Sequence, residues 1–232
     1  MKRYRLAIAV IAILLVIFGL PRFFLLPRIT SQLQREIEGS LQAREVQVQV
    51  KAPWGWELFF GRLPGLEFTA WDAVIDDLQV SKVELHGEQI RFDPRLLWQE
   101  QELVYTDAEN VQGEIVVTES ALNELLWEAV DPDRFLSLKV VPEGINLEGT
   151  INIWNMEWTV TVTGDLQVHD GTALRYVLKD LALLDTRFPA VLLDVLSDHY
   201  EFVIDFGVFP YPVELEDVFL AEQQILITFG GL

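Results

Sequence analysis

Hydrophobic positions along this chain change period several times, and each change predicts an element. Behind Lys2, Arg3 and Arg5 comes the uninterrupted apolar run Leu6–Leu20. Ile29, Leu33, Ile37 and Leu41 then recur every fourth residue, one stripe along a helix. A stripe of that kind faces either a protein core or a lipid interface. Alternation takes over in "REVQVQV", where Val46, Val48 and Val50 share one face of a half-buried strand. Pro53 and Gly61 suit the start and exit of two helical turns over Trp54–Phe60. Those turns are apolar nearly all round, with Glu57 their only charge, so protein or lipid has to cover them.

Further on, β patterning dominates. Val83 and Leu85 begin a strand toward Ile90 and Phe92, and Val111–Val117 reads as another. "VVTESALNELLWEAV" predicts a helix with Thr118 as N-cap and Leu122, Leu125, Leu126 and Ala129 as its buried stripe. In "GINLEGTINIWNMEWTVTVTGDLQV", Ile145, Leu147, Gly149, Ile151 and Ile153 fall on one face. Trp158, Val160, Val162, Gly164, Leu166 and Val168 repeat the pattern on the return. Setting Ile153 across from Trp158 over a loop Trp154–Glu157 places Gly149 opposite Val162 and Leu147 opposite Gly164. Glycine inside a strand marks a bend, a bulge or the close approach of another group. Two on neighbouring strands predict a sheet curving around something, a packed helix or a lipid chain. A strand near Ala173–Leu181 follows, then a helix in "RFPAVLLDVLSDHY" with Val191, Leu192, Val195, Leu196 and His199 on one face. Strands close the chain around Glu201–Phe206, Val213–Phe219 and Gln224–Phe229. Runs of strands broken by a few helices predict an α+β fold with an antiparallel sheet.

Charge sharpens the picture at the N-terminus. Residues 1–62 carry nine Lys+Arg against four Asp+Glu, and residues 63–232 carry eight against thirty-two. The net charge of -19 disfavours nucleic acid, whose phosphates need clustered cations. The basic end coincides with the most apolar stretch. Fifteen helical residues reach only ~22 Å, whereas Leu6–Leu26 reaches roughly 31 Å, enough for the hydrocarbon layer, with Arg22 snorkelling. No small-x-small cleavage site follows the run. The expectation is an uncleaved signal anchor over residues 1–28, with a cleaved signal as the alternative. The positive-inside rule puts Met1 in the cytoplasm and the body, residues 29–232, outside it.

Candidate chemistry is sparse. With no cysteine, disulfides, thiolate metal sites and thiol nucleophiles are excluded. His86, His169 and His199 lack partners at metal-ligand spacing, and no metal or cofactor is expected. Asp205-Phe206-Gly207 lacks every other kinase element, and no G-x-S-x-G elbow or phosphate loop is present. Asp76-Asp77 and Asp131/Asp133 read as solvated charge. Nothing commits the chain to catalysis.

The series "REVQVQV", the Pro53–Gly61 element, "VSKVELHGEQIRFDP", "GEIVVTESALNELL", "LKVVPEGINLEGTI…VTVTGDLQV" and "PVELEDVFLAEQQILITFGG" resembles the LmeA-like phospholipid-binding family over about Gln32 to Gly231. The resemblance implies an envelope protein outside the cytoplasmic membrane. It also implies a tubular lipid-binding-like fold, a long curved antiparallel sheet around amphipathic helices with an apolar groove for a phospholipid or similar amphiphile. The family is not defined by catalytic residues, so none is carried over, and the element at 54–60 is unusually aromatic here. On this reading Trp54, Trp56, Leu58, Phe59 and Phe60 form a mouth or membrane-touching tip, or else a plug closing the core. Gly149 and Gly164 line the groove, with Leu122, Leu126 and Val162 as walls. The alternative is a structural or interaction module of the envelope whose interior is filled by its own side chains.

Overall fold

A computed structural model describes residues 25–53, 55–99, 104–129, 131–153, 156–183, 186–187, 203–207 and 213–231. The apolar run and the helix expected near 189–199 lie outside these residues. Among the described residues no helix is long and apolar enough to cross a membrane.

Residues 25–40 form helix α1. Its stripe Ile29, Leu33, Ile37 and Leu41 is buried throughout, so protein rather than lipid covers it. The strands are β1 (Glu45–Lys51), β2 (Arg62–Ile75), β3 (Leu78–Phe92), β4 (Tyr105–Asp107), β5 (Asn110–Thr118), β6 (Leu136–Val141), β7 (Gly144–Ile153), β8 (Met156–His169), β9 (Ala173–Leu183), β10 (Thr186–Arg187), β11 (Val203–Asp205), β12 (Glu214–Ala221) and β13 (Gln224–Gly231). Helices α2 (Pro94–Gln99) and α3 (Glu119–Ala129) interrupt them. All pairings are antiparallel. The expected single long sheet is two: one ordered β1-β2-β3-β5-β13-β12 with β4 beside β3, and one ordered β10-β9-β8-β7-β6 with β11 beside β9.

One core joins the sheets. Ile37, Phe68, Val83, Ile115 and Phe229 from α1 and the first sheet pack with Val140, Ile145, Leu166 and Leu174 of the second. Backbone bonds stitch the seam, from Leu215 N to Gly171 O at 2.6 Å and from Gln223 N to Val140 O at 3.1 Å. A second cluster, with Leu25, Ile29, Leu33, Leu58, Leu63, Phe92 and Leu97, fills the end of the first sheet under the start of α1.

The long hairpin β2–β3 has no simple alternation. Burial in β3 falls on Leu78 and Val80, then Val83 and Leu85, then Ile90 and Phe92, changing phase twice. β2 changes phase with it, from Leu63 to Leu66, Phe68 and Ala70, then Ala73 and Ile75. Asp72 and Gln89, at φ 50° and 51°, sit at two of these breaks. Asp72 and Ser81 drop out of the pairing together while Trp71↔Lys82 and Ala73↔Val80 keep register. Both strands thus bend at the same level, and one face stays on the core as the sheet curls.

Two local expectations need correction. The aromatic element is one 3₁₀ turn, Glu57–Phe60, rather than two turns of helix from Trp54. Gly55 at φ 75° is left-handed and breaks the helix before it begins. Trp54 lies outside the described residues. The β7–β8 hairpin closes two residues tighter than expected, pairing Ile153 with Met156, Gly149 with Val160 and Ile145 with Gly164. A two-residue slip preserves side-chain parity, so Ile145, Leu147, Val162 and Leu166 keep the face that the spacing assigned them.

Candidate functional site

The sequence-predicted site residues fall into two groups at different places. Trp56, Leu58, Phe59 and Phe60 sit at the end of the first sheet filled by the second cluster. Burial differs sharply between neighbours in this turn. Leu58 is 0% exposed inside the cluster, while Phe59 and Phe60 are 41% and 75% exposed. Trp56 and Phe59 stack tilted, with ring centroids 5.4 Å apart. Gly61 ends the turn at φ 66°, and a Cβ there would come within 2.8 Å of the Pro94 ring. The Phe92 carbonyl oxygen would be nearer still, and Phe92 N donates to Gly61 O at 2.9 Å, so the turn is held against the end of β3 and the start of α2.

Leu122, Leu126, Val162, Gly149 and Gly164 belong instead to α3 and the second sheet. β5 links the two regions. Its first residue Asn110 pairs with Glu88 near the aromatic end, and its last residue Thr118 caps α3, the hydroxyl accepting from Ala121 N at 3.3 Å. At the rise of an antiparallel strand these ends lie roughly 27 Å apart. The aromatic turn and the start of α3 thus stand near opposite ends of β5.

α3 is fixed to the second sheet by a ladder the leucine stripe did not reveal. β6 is an edge strand, and residues spaced by four on and just past α3 satisfy its free backbone. Glu119 Oε2 accepts from Val140 N at 2.8 Å. Asn123 Oδ1 accepts from Leu138 N at 2.7 Å, and its Nδ2 donates to Leu138 O and Glu119 O, both at 2.9 Å. Trp127 Nε1 donates to Leu136 O at 2.8 Å, and Asp131 Oδ2 accepts from Leu136 N at 2.6 Å. The match is geometric. Four helical residues rise about 6.0 Å and two strand residues about 6.7 Å, so the side chains stay in step with alternate β6 residues. An exposed edge, otherwise a template for another strand, is closed. A polar residue every fourth position, Glu119-Asn123-Trp127-Asp131, was the available signal.

The inner face of the second sheet grades from closed to half-open. Val140, Ile145, Leu166 and Leu174 are buried in the shared core. Further along the same face Leu136, Leu138, Leu147 and Val162 are only half-buried, with Leu138 paired to Leu147 and Leu147 to Val162. Phe135, 62% exposed, stands at the rim just before β6. This strip is apolar and accessible, and α3 lies along the β6 edge beside it.

The glycines are not open gaps. A Cβ on Gly164 would lie 2.6 Å from Cε2 and Oη of Tyr176, whose ring covers it and whose hydroxyl donates to Ile145 O at 3.0 Å. Burial, with the Asp165 charge second, pushes the Tyr176 phenol above its usual range. A Cβ on Gly149 would lie 2.5 Å from Cδ2 and 3.0 Å from Cα of Leu136. Gly164 thus lets the Tyr176 side chain of β9 cross the sheet, whereas at Gly149 the Phe135 carbonyl oxygen is nearer still, so there the β6 backbone itself leaves no room. Nothing in the sequence marks which residue lies across a glycine, so Tyr176, Leu136 and Phe135 are not legible there.

Elsewhere the polar groups make surface pairs. His86 bridges Glu67 and Glu88, at 3.0 and 3.4 Å, and Lys51 also pairs with Glu67, holding that carboxyl below its ordinary range. Among the described residues no group of His, Cys, Asp and Glu is arranged to hold a metal ion. A polar pocket of about 260 Å³ between β5, β12 and β13, lined by Glu109, Glu214 and Glu216, is too acidic for an acyl chain.

No curated protein and no solved structure matches the chain. The model of one family, LmeA-like phospholipid-binding, matches residues 22–230. With that match covering nearly the whole sequence and a curled antiparallel sheet beneath it, the chain belongs to the LmeA-like phospholipid-binding family.

Proposed function

We propose that this protein is anchored in the cytoplasmic membrane by Leu6–Leu26, with its body outside the cytoplasm. There it holds or hands over a phospholipid or related amphiphile. The observation that carries the reading is the half-open apolar strip Leu136, Leu138, Leu147 and Val162 in a chain of phospholipid-binding family. An acyl chain laid on this strip gains about 0.8 kcal/mol per CH₂ removed from water, so eight carbons supply about 6 kcal/mol before ordering costs. Leu122 and Leu126 back α3 against the core and hold the wall of the strip. Gly149 and Gly164 act indirectly, by admitting Leu136 and Tyr176.

The competing reading is a structural module with no bound lipid. Tyr176 and Leu136, which fill the spaces over both glycines, favour it. The test is native mass spectrometry with lipid extraction on the gently purified full chain, beside Val162→Trp. Phospholipid bound to the wild type and absent from the variant, with unchanged thermal unfolding, supports a lipid site on the strip. An empty wild type that takes up no added phospholipid refutes it and leaves the structural module.

A further inference from the structure

We propose that the Phe59-Phe60 tip docks on an anionic phospholipid surface through a ring of arginines. Phe60 is 75% exposed, and Arg62 follows it by two residues at the start of β2. Arg62 stands directly opposite Arg91 of β3. Like charges facing each other across an antiparallel pair destabilise it, so the pair calls for anions. Asp107 supplies one, 3.7 Å from Arg91.

Arg95 lies on α2, whose Pro94 touches Gly61 and whose Leu97 shares the cluster of Leu58. Arg28 lies on the first described turn of α1, between Leu25 and Ile29 of that cluster. Arg28, Arg62 and Arg95 are exposed and pair with no carboxylate among the described residues. Two nearby acids are partly taken up. Asp93 Oδ1 accepts from the Arg95 backbone N at 2.8 Å, and one Glu57 carboxylate oxygen is buried.

Two features choose a lipid surface as occupant. The apolar run ends at the same place, since Leu25 packs in this cluster. The charge contrast also orients the molecule, because residues 63–232 carry thirty-two acids against eight bases. An anionic surface attracts this end and repels the rest. Arginine forks suit headgroup phosphates, and exposed phenylalanines insert at the acyl boundary.

The inference rests on the membrane placement proposed above, and its test separates the two. The full chain is reconstituted in phosphatidylcholine vesicles with or without phosphatidylglycerol. A benzophenone photoprobe replaces Phe60 or, separately, Phe135. Each arginine near an anionic surface is worth about fivefold, so three shift docking on the order of a hundredfold at low salt. We expect lipid crosslinking at position 60 to be at least about tenfold higher with phosphatidylglycerol. It should fall to the zwitterionic level in Arg28→Gln/Arg62→Gln/Arg95→Gln with unfolding unchanged. Crosslinking at 60 that ignores both lipid charge and the arginines overturns the proposal, as does none at all. Position 135 reports the apolar strip, so its loss of lipid crosslinks refutes the lipid-holding reading whatever position 60 shows.

Discussion

Replacing Asn123 by leucine keeps the volume of the side chain and removes its hydrogen bonds to β6. In the native protein Asn123 is 8% exposed and takes up both backbone groups of Leu138, at 2.7 and 2.9 Å, besides Glu119 O at 2.9 Å. The substitution leaves the Leu138 N–H and C=O without partners behind an apolar side chain. Each such group costs about 1–3 kcal/mol, so the expected loss is about 3–5 kcal/mol. That is a large share of the roughly 5–15 kcal/mol that holds a domain together. For a chain of this size it corresponds to a fall in Tm of about 10 °C. Thermal and urea unfolding measure the loss, and Glu124→Ala, on the exposed side of the same helix, should stay within about 0.5 kcal/mol. Hydrogen exchange locates it, because the Leu138 amide should lose protection while Ile115 in the first sheet keeps its own. A loss below about 1 kcal/mol with Leu138 still protected would refute the side-chain ladder as what closes the β6 edge.

Gly164→Ala places a methyl group against the Tyr176 ring and should cost about 1–3 kcal/mol, with Gly39→Ala, where nothing lies within 4 Å, as the unclashing control in the same unfolding assay. Tyr176→Phe keeps the ring and loses the bond to Ile145 O, so unfolding should show a loss of about 1 kcal/mol. The raised phenol gives this pair a pH signature. The folded state holds the proton where the unfolded chain releases it, so the contribution is whole below the ordinary tyrosine pKa of about 10 and fades as pH rises above it. Wild-type stability should therefore fall more steeply than that of Tyr176→Phe above that pH. Leu58→Ala should cost about 2–5 kcal/mol in urea unfolding, and Phe60→Ser should leave stability nearly unchanged while weakening association with anionic vesicles.

Elements with an unbroken period were legible in the sequence. The α1 stripe, β1, β5, α3 with its Thr118 cap, and the face shared by Ile145, Leu147, Val162 and Leu166 follow from local spacing that no neighbour overrides. β2 and the first part of β3 were not legible. Their alternation resets at Asp72 and again around Gln89, and a reader of one strand cannot see that the partner resets at the same level. The candidate site divided in the same way. Exposed phenylalanines beside buried Leu58 are written in one short turn, whereas the residues that fill the glycine positions come from β6 and β9.

The sequence by itself determined which faces are apolar, where the acidic body begins, and that no thiol chemistry is available, because these depend only on residue type and period. The tertiary structure decided the register of the hairpin, the division into two sheets, the closing of β6 by α3, and the placing of the aromatic turn and the start of α3 near opposite ends of β5. Those depend on contacts between residues far apart in the chain. Slipping a hairpin by two residues leaves its faces unchanged, and a glycine has no side chain to say what lies across it.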